Sequence, residues 1–286
     1  MNTVKNKKRN VIGLFSMIGL ILMSVIVFSS CSKDDDDANM EGGKAPVVLV
    51  HGAWQASYAW EEVKTNLTAQ GYQVIVVNLK GHGNDNTPVS ELSFSGYVDQ
   101  VKAAIGAFNE PVILIGHSLG GAVITQAATQ VPAKIAKLVY VAGFIPQTGK
   151  SVLDYAGLDR ASLLGPVLEF NADQTLAGVA IPDINFLKVF IQDGTDKQKQ
   201  FVLDRYRAEP VIPLATPLNY TTENYTAAGK KYYVFTTEDN AISYLFQKQM
   251  AADAGITKTF TINTGHSPFI SKPTELTSLL EIIAED

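Results

Sequence analysis

The sequence predicts an α/β protein built on a parallel, doubly wound sheet. Three observations carry this. Apolar runs without alternation, such as "PVVLV" at Pro46–Val50 and "VILIG" at Val112–Gly116, suit strands buried on both faces. Helix-like segments separate those runs, and the order strand, helix, strand, helix recurs along the chain. A composition of 46% hydrophobic and 18% charged residues over 286 positions supplies a sizeable core.

Each element follows in turn. Pro46–Val50 is a strand stopped by His51-Gly52, and Tyr58–Gln70 is a helix stopped at Gly71. "YQVIVVN", Tyr72–Asn78, is the second strand. "KGHGNDNTP" after it is a loop by its glycines, asparagines and proline. Tyr97–Phe108 is helical, "VILIG" is the third strand, Leu119–Val131 a helix and "IAKLVYVAG" the fourth strand. From Pro146 to about Pro217 no clean strand is visible, and seventy residues exceed a bare loop, so this stretch predicts a helical insertion. It holds the apolar cluster "INFLKVFI" and a short helix around Lys197–Arg207. The alternation resumes with "KKYYVFTT", a helix over Ala241–Ala254, "TKTFTIN" and a last helix over Lys272–Ala284.

The N-terminus is a different material. Lys5, Lys7, Lys8 and Arg9 form a basic head, and Val11–Ser30 contains no charge. A basic head followed by an apolar run predicts a secretory signal over residues 1–30. The run ends in Phe28-Ser29-Ser30-Cys31, with the single cysteine of the chain last. That ending resembles the lipobox of bacterial lipoproteins, in which the cysteine becomes the lipidated first residue. Phe28 departs from the usual leucine, and the competing expectation is one uncleaved anchor helix. Residues 31–44, with Asp34 to Asp37, then read as a lipidated acidic tether, similar to the surface-export tethers of some Gram-negative lipoproteins. The expected location is the bacterial cell envelope, held to a membrane through Cys31. One cysteine forms no internal disulfide. A net charge of −5 without basic patches gives no expectation of nucleic-acid binding.

Gly116-His117-Ser118-Leu119-Gly120 lies between the third strand and its helix. A serine on a sharp strand-to-helix turn stands clear of the backbone, and flanking glycines avoid the clashes such a turn creates. A hydroxyl needs a base within reach, and the base needs an orienting acid. Of the four histidines, only His266 follows the last strand; His82 and His117 do not fit the order serine, acid, histidine and are expected to be structural, while His51 belongs to the "HGAW" turn after the first strand. Glu238 and Asp239, after the penultimate strand, are both acid candidates. Two backbone N–H groups should receive the developing oxyanion. One belongs to Leu119, after the serine; the other is expected at Ala53 in "HGAW", where Gly52 allows a close approach. Trp54 is a candidate to line the pocket, with simple packing the commoner role of an aromatic there.

These residues resemble the α/β-hydrolase superfamily. More narrowly, "VVLVHGAWQASYAW", "GHSLGG" and "TTEDNAISYLFQKQM" resemble the plant methylesterase and hydroxynitrile lyase family and related bacterial esterases. The resemblance covers most of 46–286. It implies an α/β-hydrolase fold over residues 45–286, with about six mostly parallel strands and a helical cap at about 146–217 after the fourth strand. It maps the acid to Asp239 and implies no cofactor; no cluster with metal-ligand spacing is visible either. The lyases of the family carry a lysine after the histidine, where this chain has Ser267, which favours hydrolysis. A serine nucleophile also argues against a dehalogenase or an epoxide hydrolase.

The expected function is a serine hydrolase of the carboxylesterase type, cleaving a small, largely apolar ester with Ser118, His266 and Asp239. Phe186, Leu187, Val189, Phe190 and Ile191 are candidates to roof the pocket, although most of them are expected to pack. The competing expectations are a lyase or acyltransferase on the same residues, and a surface lipoprotein that binds without turnover.

Overall fold

The computed structural model describes residues 43–286. The signal segment, Cys31 and the tether up to residue 42 lie outside the described residues. The chain enters the sheet at β1 (Val47–Val50), passes through α1 (Glu61–Ala69) to β2 (Val74–Val77), and returns through α2 (Phe94–Gly106) to β3 (Val112–His117). α3 (Leu119–Gln130) then leads to β4 (Ile135–Val141). The insertion follows, with α4 (Val152–Ala156), β5 (Leu168–Phe170), β6 (Leu176–Val179), α5 (Pro182–Phe190), α6 (Asp196–Leu203), β7 (Glu209–Pro210), α7 (Val211–Ala215) and α8 (Thr222–Ala227). β8 (Lys230–Thr236), α9 (Tyr244–Asp253), β9 (Lys258–Ile262), α10 (Pro268–Ser271) and α11 (Pro273–Glu285) complete it.

The large sheet has the order β2-β1-β3-β4-β8-β9, with every pairing parallel. The expected doubly wound parallel sheet of six strands is therefore present. Burial explains which strands were plainest in the sequence. All of β1 and β3 is buried, whereas β2 and β9 at the edges are largely half-buried or exposed. Central strands of a parallel sheet meet helices on both faces, so their side chains are apolar without alternation. α3 is buried from Leu119 to Thr129, and its polar Thr125 and Gln126 donate to Gly121 O and Asn219 O, both at 2.8 Å.

The helical insertion needs correction. β5, β6 and β7 form a separate three-stranded antiparallel sheet between β4 and β8. These strands are three, four and two residues long, too short to display a period of two. The turn between β5 and β6 is set by side chains: Asn171 Oδ1 accepts from Leu176 N–H at 2.9 Å, and Asp173 Oδ1 from Thr175 N–H at 3.2 Å.

The strand order places the site. From β1 the chain moves outward to β2, then crosses back to β3 on the other side. The loops leaving β1 and β3 diverge there, opening a crevice at the carboxyl ends of adjacent strands.

Candidate active site

Ser118 sits between β3 and α3 with φ +52° and ψ −122°. A left-handed conformation at a non-glycine residue costs about 1–3 kcal/mol and persists only where its surroundings impose it. Here Ser118 N–H donates to Ala142 O at 3.2 Å, and Ser118 O accepts from Gly121 N–H at 2.9 Å and Phe144 N–H at 3.0 Å. The glycines are dictated by space. A Cβ on Gly116 would stand 2.5 Å from Gly120 O, and one on Gly120 would stand 2.6 Å from His51 O.

Asp239 lies in the loop after β8 and His266 in the loop after β9; both are buried. His266 Nδ1 is 2.7 Å from Asp239 Oδ2. The same carboxyl group accepts from Ala241 N–H and Ile242 N–H, both at 2.8 Å, from Thr236 Oγ1 at 2.8 Å and from Gln247 Nε2 at 3.1 Å. Five donors converge on this carboxyl group, so Nδ1 is the ring nitrogen that donates to it, and in the neutral ring Nε2 is then the acceptor. Glu238, the other acid candidate, instead gives its backbone N–H to Thr264 O at 3.0 Å. Among the described residues no hydrogen bond closes between Ser118 Oγ and His266. Such contacts are often long in unliganded sites and tighten with substrate.

His117, expected to be structural, and His51, in the turn after β1, are both buried beside the site. His117 Nε2 donates to His266 O at 2.8 Å, and the two rings lie 4.5 Å apart. Burial, then the neighbouring His266, holds His117 well below the usual histidine range. His51 Nδ1 donates to Gly52 O at 2.8 Å, and Nε2 accepts from Leu79 N–H at 3.1 Å. Burial foremost, and His82 nearby, lower its pKa to about 3. The residue after His266 is an uncharged serine, and Ser267 Oγ accepts from Gln55 Nε2 at 3.0 Å.

Ser118, Ala53 and Leu119 line one cavity of ≈ 200 Å³. Leu119 is the first residue of α3, so its N–H has no partner within the helix. The remaining wall is apolar, with Trp54, Phe144, Leu153, Leu164, Leu168 and Leu214 among its residues. No charged side chain lines it, and its second hydroxyl, Ser162 Oγ, donates to Ala241 O at 2.7 Å. Of the five candidates for a roof, only Phe190 reaches the cavity. Phe186 packs on Phe190 and Tyr206 with ring centroids 4.7 and 5.1 Å apart, and Val189 and Ile191 are buried in the core. Among the described residues no group of three or more His, Cys, Asp or Glu side chains could hold a metal ion.

Sequence reasoning missed Glu209. It is fully buried in β7, and its Oε2 is 2.9 Å from His82 Nε2 and 2.8 Å from Trp54 N. Its partners lie 127 and 155 residues away in the chain, and nothing around it marks the position.

A parallel six-stranded sheet with a serine on a strained strand-to-helix turn, and an acid–histidine pair on the loops after its last two strands, defines a hydrolase-type α/β protein. The chain belongs to the alpha/beta hydrolase family, whose model matches residues 47–279. It is 30% identical over 250 residues to methylesterase 11, a chloroplastic protein of Arabidopsis thaliana, covering 83% of this chain and 63% of that one. The chain thus spans less than two thirds of that relative's length. It is also 29% identical over 252 residues to an alpha-hydroxynitrile lyase of Arabidopsis thaliana, covering 84% of this chain and 96% of the lyase. The crystal structure of polyneuridine aldehyde esterase matches with a TM-score of 0.75 at 22% identity, over 84% of this chain and 99% of that one.

Proposed function

We propose that the protein is a serine carboxylesterase that cleaves a small, largely apolar ester through an acyl-enzyme. The observation that carries this reading is the His266–Asp239 pair at 2.7 Å, placed by the loops after β9 and β8, with Ser118 opening into an apolar cavity. In the proposed sequence His266 Nε2 takes the Ser118 proton as Oγ attacks the ester carbonyl. The N–H groups of Ala53 and Leu119 receive the negative oxygen. His266 then passes the proton to the departing alcohol, and a water activated the same way releases the acid. Asp239 holds the imidazole in the tautomer this requires.

Two features support an uncharged substrate and hydrolysis rather than cyanide chemistry. The cavity wall presents no ion to a charged acyl group, and Ser267 occupies the position after His266 with its hydroxyl engaged by Gln55. The test is hydrolysis of a short-chain nitrophenyl ester by the wild type beside Ser118→Ala. The expected loss in the variant is several powers of ten; equal rates would refute the assignment.

We further propose that the chain is a lipoprotein of the bacterial envelope, lipidated at Cys31. The basic head, the uncharged run and the position of the cysteine support this. Incorporation of labelled palmitate should be lost in Cys31→Ala.

A further inference from the structure

Trp54 follows Ala53, the residue whose N–H the esterase reading assigns to the oxyanion, and it is held at φ +58°. For a bulky side chain this is an outlier that something must enforce. Both of its N–H groups are taken by the small antiparallel sheet of the insertion. The backbone N–H donates to Glu209 Oε2 at 2.8 Å, and the indole N–H to Ala177 O at 2.9 Å. Ala177 and Glu209 are directly opposed in the pairing of β6 with β7, so the two grips form one rigid edge.

Glu209 is itself anchored. Its Oε2 also meets His82 Nε2 at 2.9 Å, and His82 Nδ1 is 3.0 Å from Lys80 O. Neither carbonyl nor carboxylate can donate, so both ring nitrogens of His82 carry hydrogen. Burial opposes that charge, but Glu209 and the neighbouring carbonyls outweigh it and leave the His82 pKa raised. The ring of His82 packs edge-on against His51 at 4.9 Å, and His51 in turn binds Gly52 O. A buried carboxylate is costly unless paired and hydrogen-bonded. This one is fully buried, and its two partners are the histidine and the turn that carries Ala53.

We propose that Glu209 is a positioning residue for the oxyanion site: anchored on His82, it clamps the Trp54 N–H and so fixes the turn that aims the Ala53 N–H into the cavity. The insertion therefore completes the site as well as roofing it. This rests on the esterase reading.

The test uses the full-length chain in mild detergent, labelled with ¹⁵N at tryptophan. Only Trp54 and Trp60 contribute signals, so Trp60 is an internal control. Glu209→Ala should move the backbone and indole signals of Trp54 and leave those of Trp60 in place. Its kcat on a nitrophenyl ester should fall about 10–100-fold with KM within about threefold, because a misplaced donor affects the transition state most. Glu209→Gln keeps an acceptor oxygen for Trp54 and should restore most of kcat. Unmoved Trp54 signals, or an unchanged kcat in Glu209→Ala, would overturn the proposal while wild-type turnover upheld the esterase reading. So would a shift of the Trp60 signals with kcat and KM changing together, since that marks a merely structural role. A wild type that hydrolyses no ester, and matches Ser118→Ala, would overturn the esterase reading and this proposal with it.

Discussion

Space around Ser118 decides what the neighbouring residues can be. A Cβ at position 120 would press on two backbone oxygens, His51 O at 2.6 Å and Val50 O at 2.8 Å, and neither can swing away as a side chain can. Gly120→Ala should therefore lose about 1–3 kcal/mol of stability, as overpacked sites do, seen as a lowered thermal midpoint. Charge at the same scale gives a pH signature. His51 and His117 are held neutral in the fold, His51 with a pKa of about 3, against about 6.5 in an unfolded chain. Between those values the unfolded chain binds more protons, so their contribution is present above pH 6.5 and is lost as pH falls. Each should cost up to about 1.4 kcal/mol per pH unit on acidification. His82 has the opposite sign. Its raised pKa gives stability that is full below 6.5 and fades as pH rises through the raised value, so in the upper part of the pH 7 to pH 5 span it offsets some of the loss. Denaturant unfolding at pH 7 and pH 5 should show this loss, with a shallower slope in His51→Gln.

Elements show where the sequence was legible and where it was not. β1 and β3 could be read because complete burial leaves an unbroken apolar run. Helix starts were read less well. α2 begins at Phe94, three residues before the expected Tyr97, because Ser93 Oγ accepts from Gly96 N–H at 3.1 Å and caps it. α9 begins at Tyr244 and not at Ala241, because Ser243 is its cap, its Oγ accepting from Phe246 N–H at 3.3 Å, while Asp239 holds the N–H groups of Ala241 and Ile242 in the loop before it. The strands of the insertion are two to four residues long and carry no period, so β7, and Glu209 with it, could not be found. Ser118, His266 and Asp239 stand out by a local motif, chain order and resemblance, signals that do not depend on distant contacts. Ser93→Ala should cost about 1 kcal/mol, the usual worth of such a cap, with ester turnover unchanged, since α2 contributes no residue to the cavity. Leu164→Ala, which removes a half-buried wall residue of the insertion, should raise the ratio of rates on octanoyl and butyryl esters about tenfold, within the range a methylene is worth.

At the scale of the whole molecule, one crossover organises everything. Because the chain runs outward from β1 to β2 and returns to β3, the turns carrying Ala53 and Ser118 meet at neighbouring strand ends. The loops after β8 and β9 supply acid and histidine, and the insertion between β4 and β8 closes the apolar side. In the proposed reaction Ser118 is a nucleophile activated by His266. The most direct measurement is peptide mapping after reaction with a fluorophosphonate, which needs a working base but no particular ester. One phosphonylated peptide is expected, modified at Ser118, and none in His266→Ala. Modification at another residue, or undiminished labelling of Ser118 without His266, would contradict it.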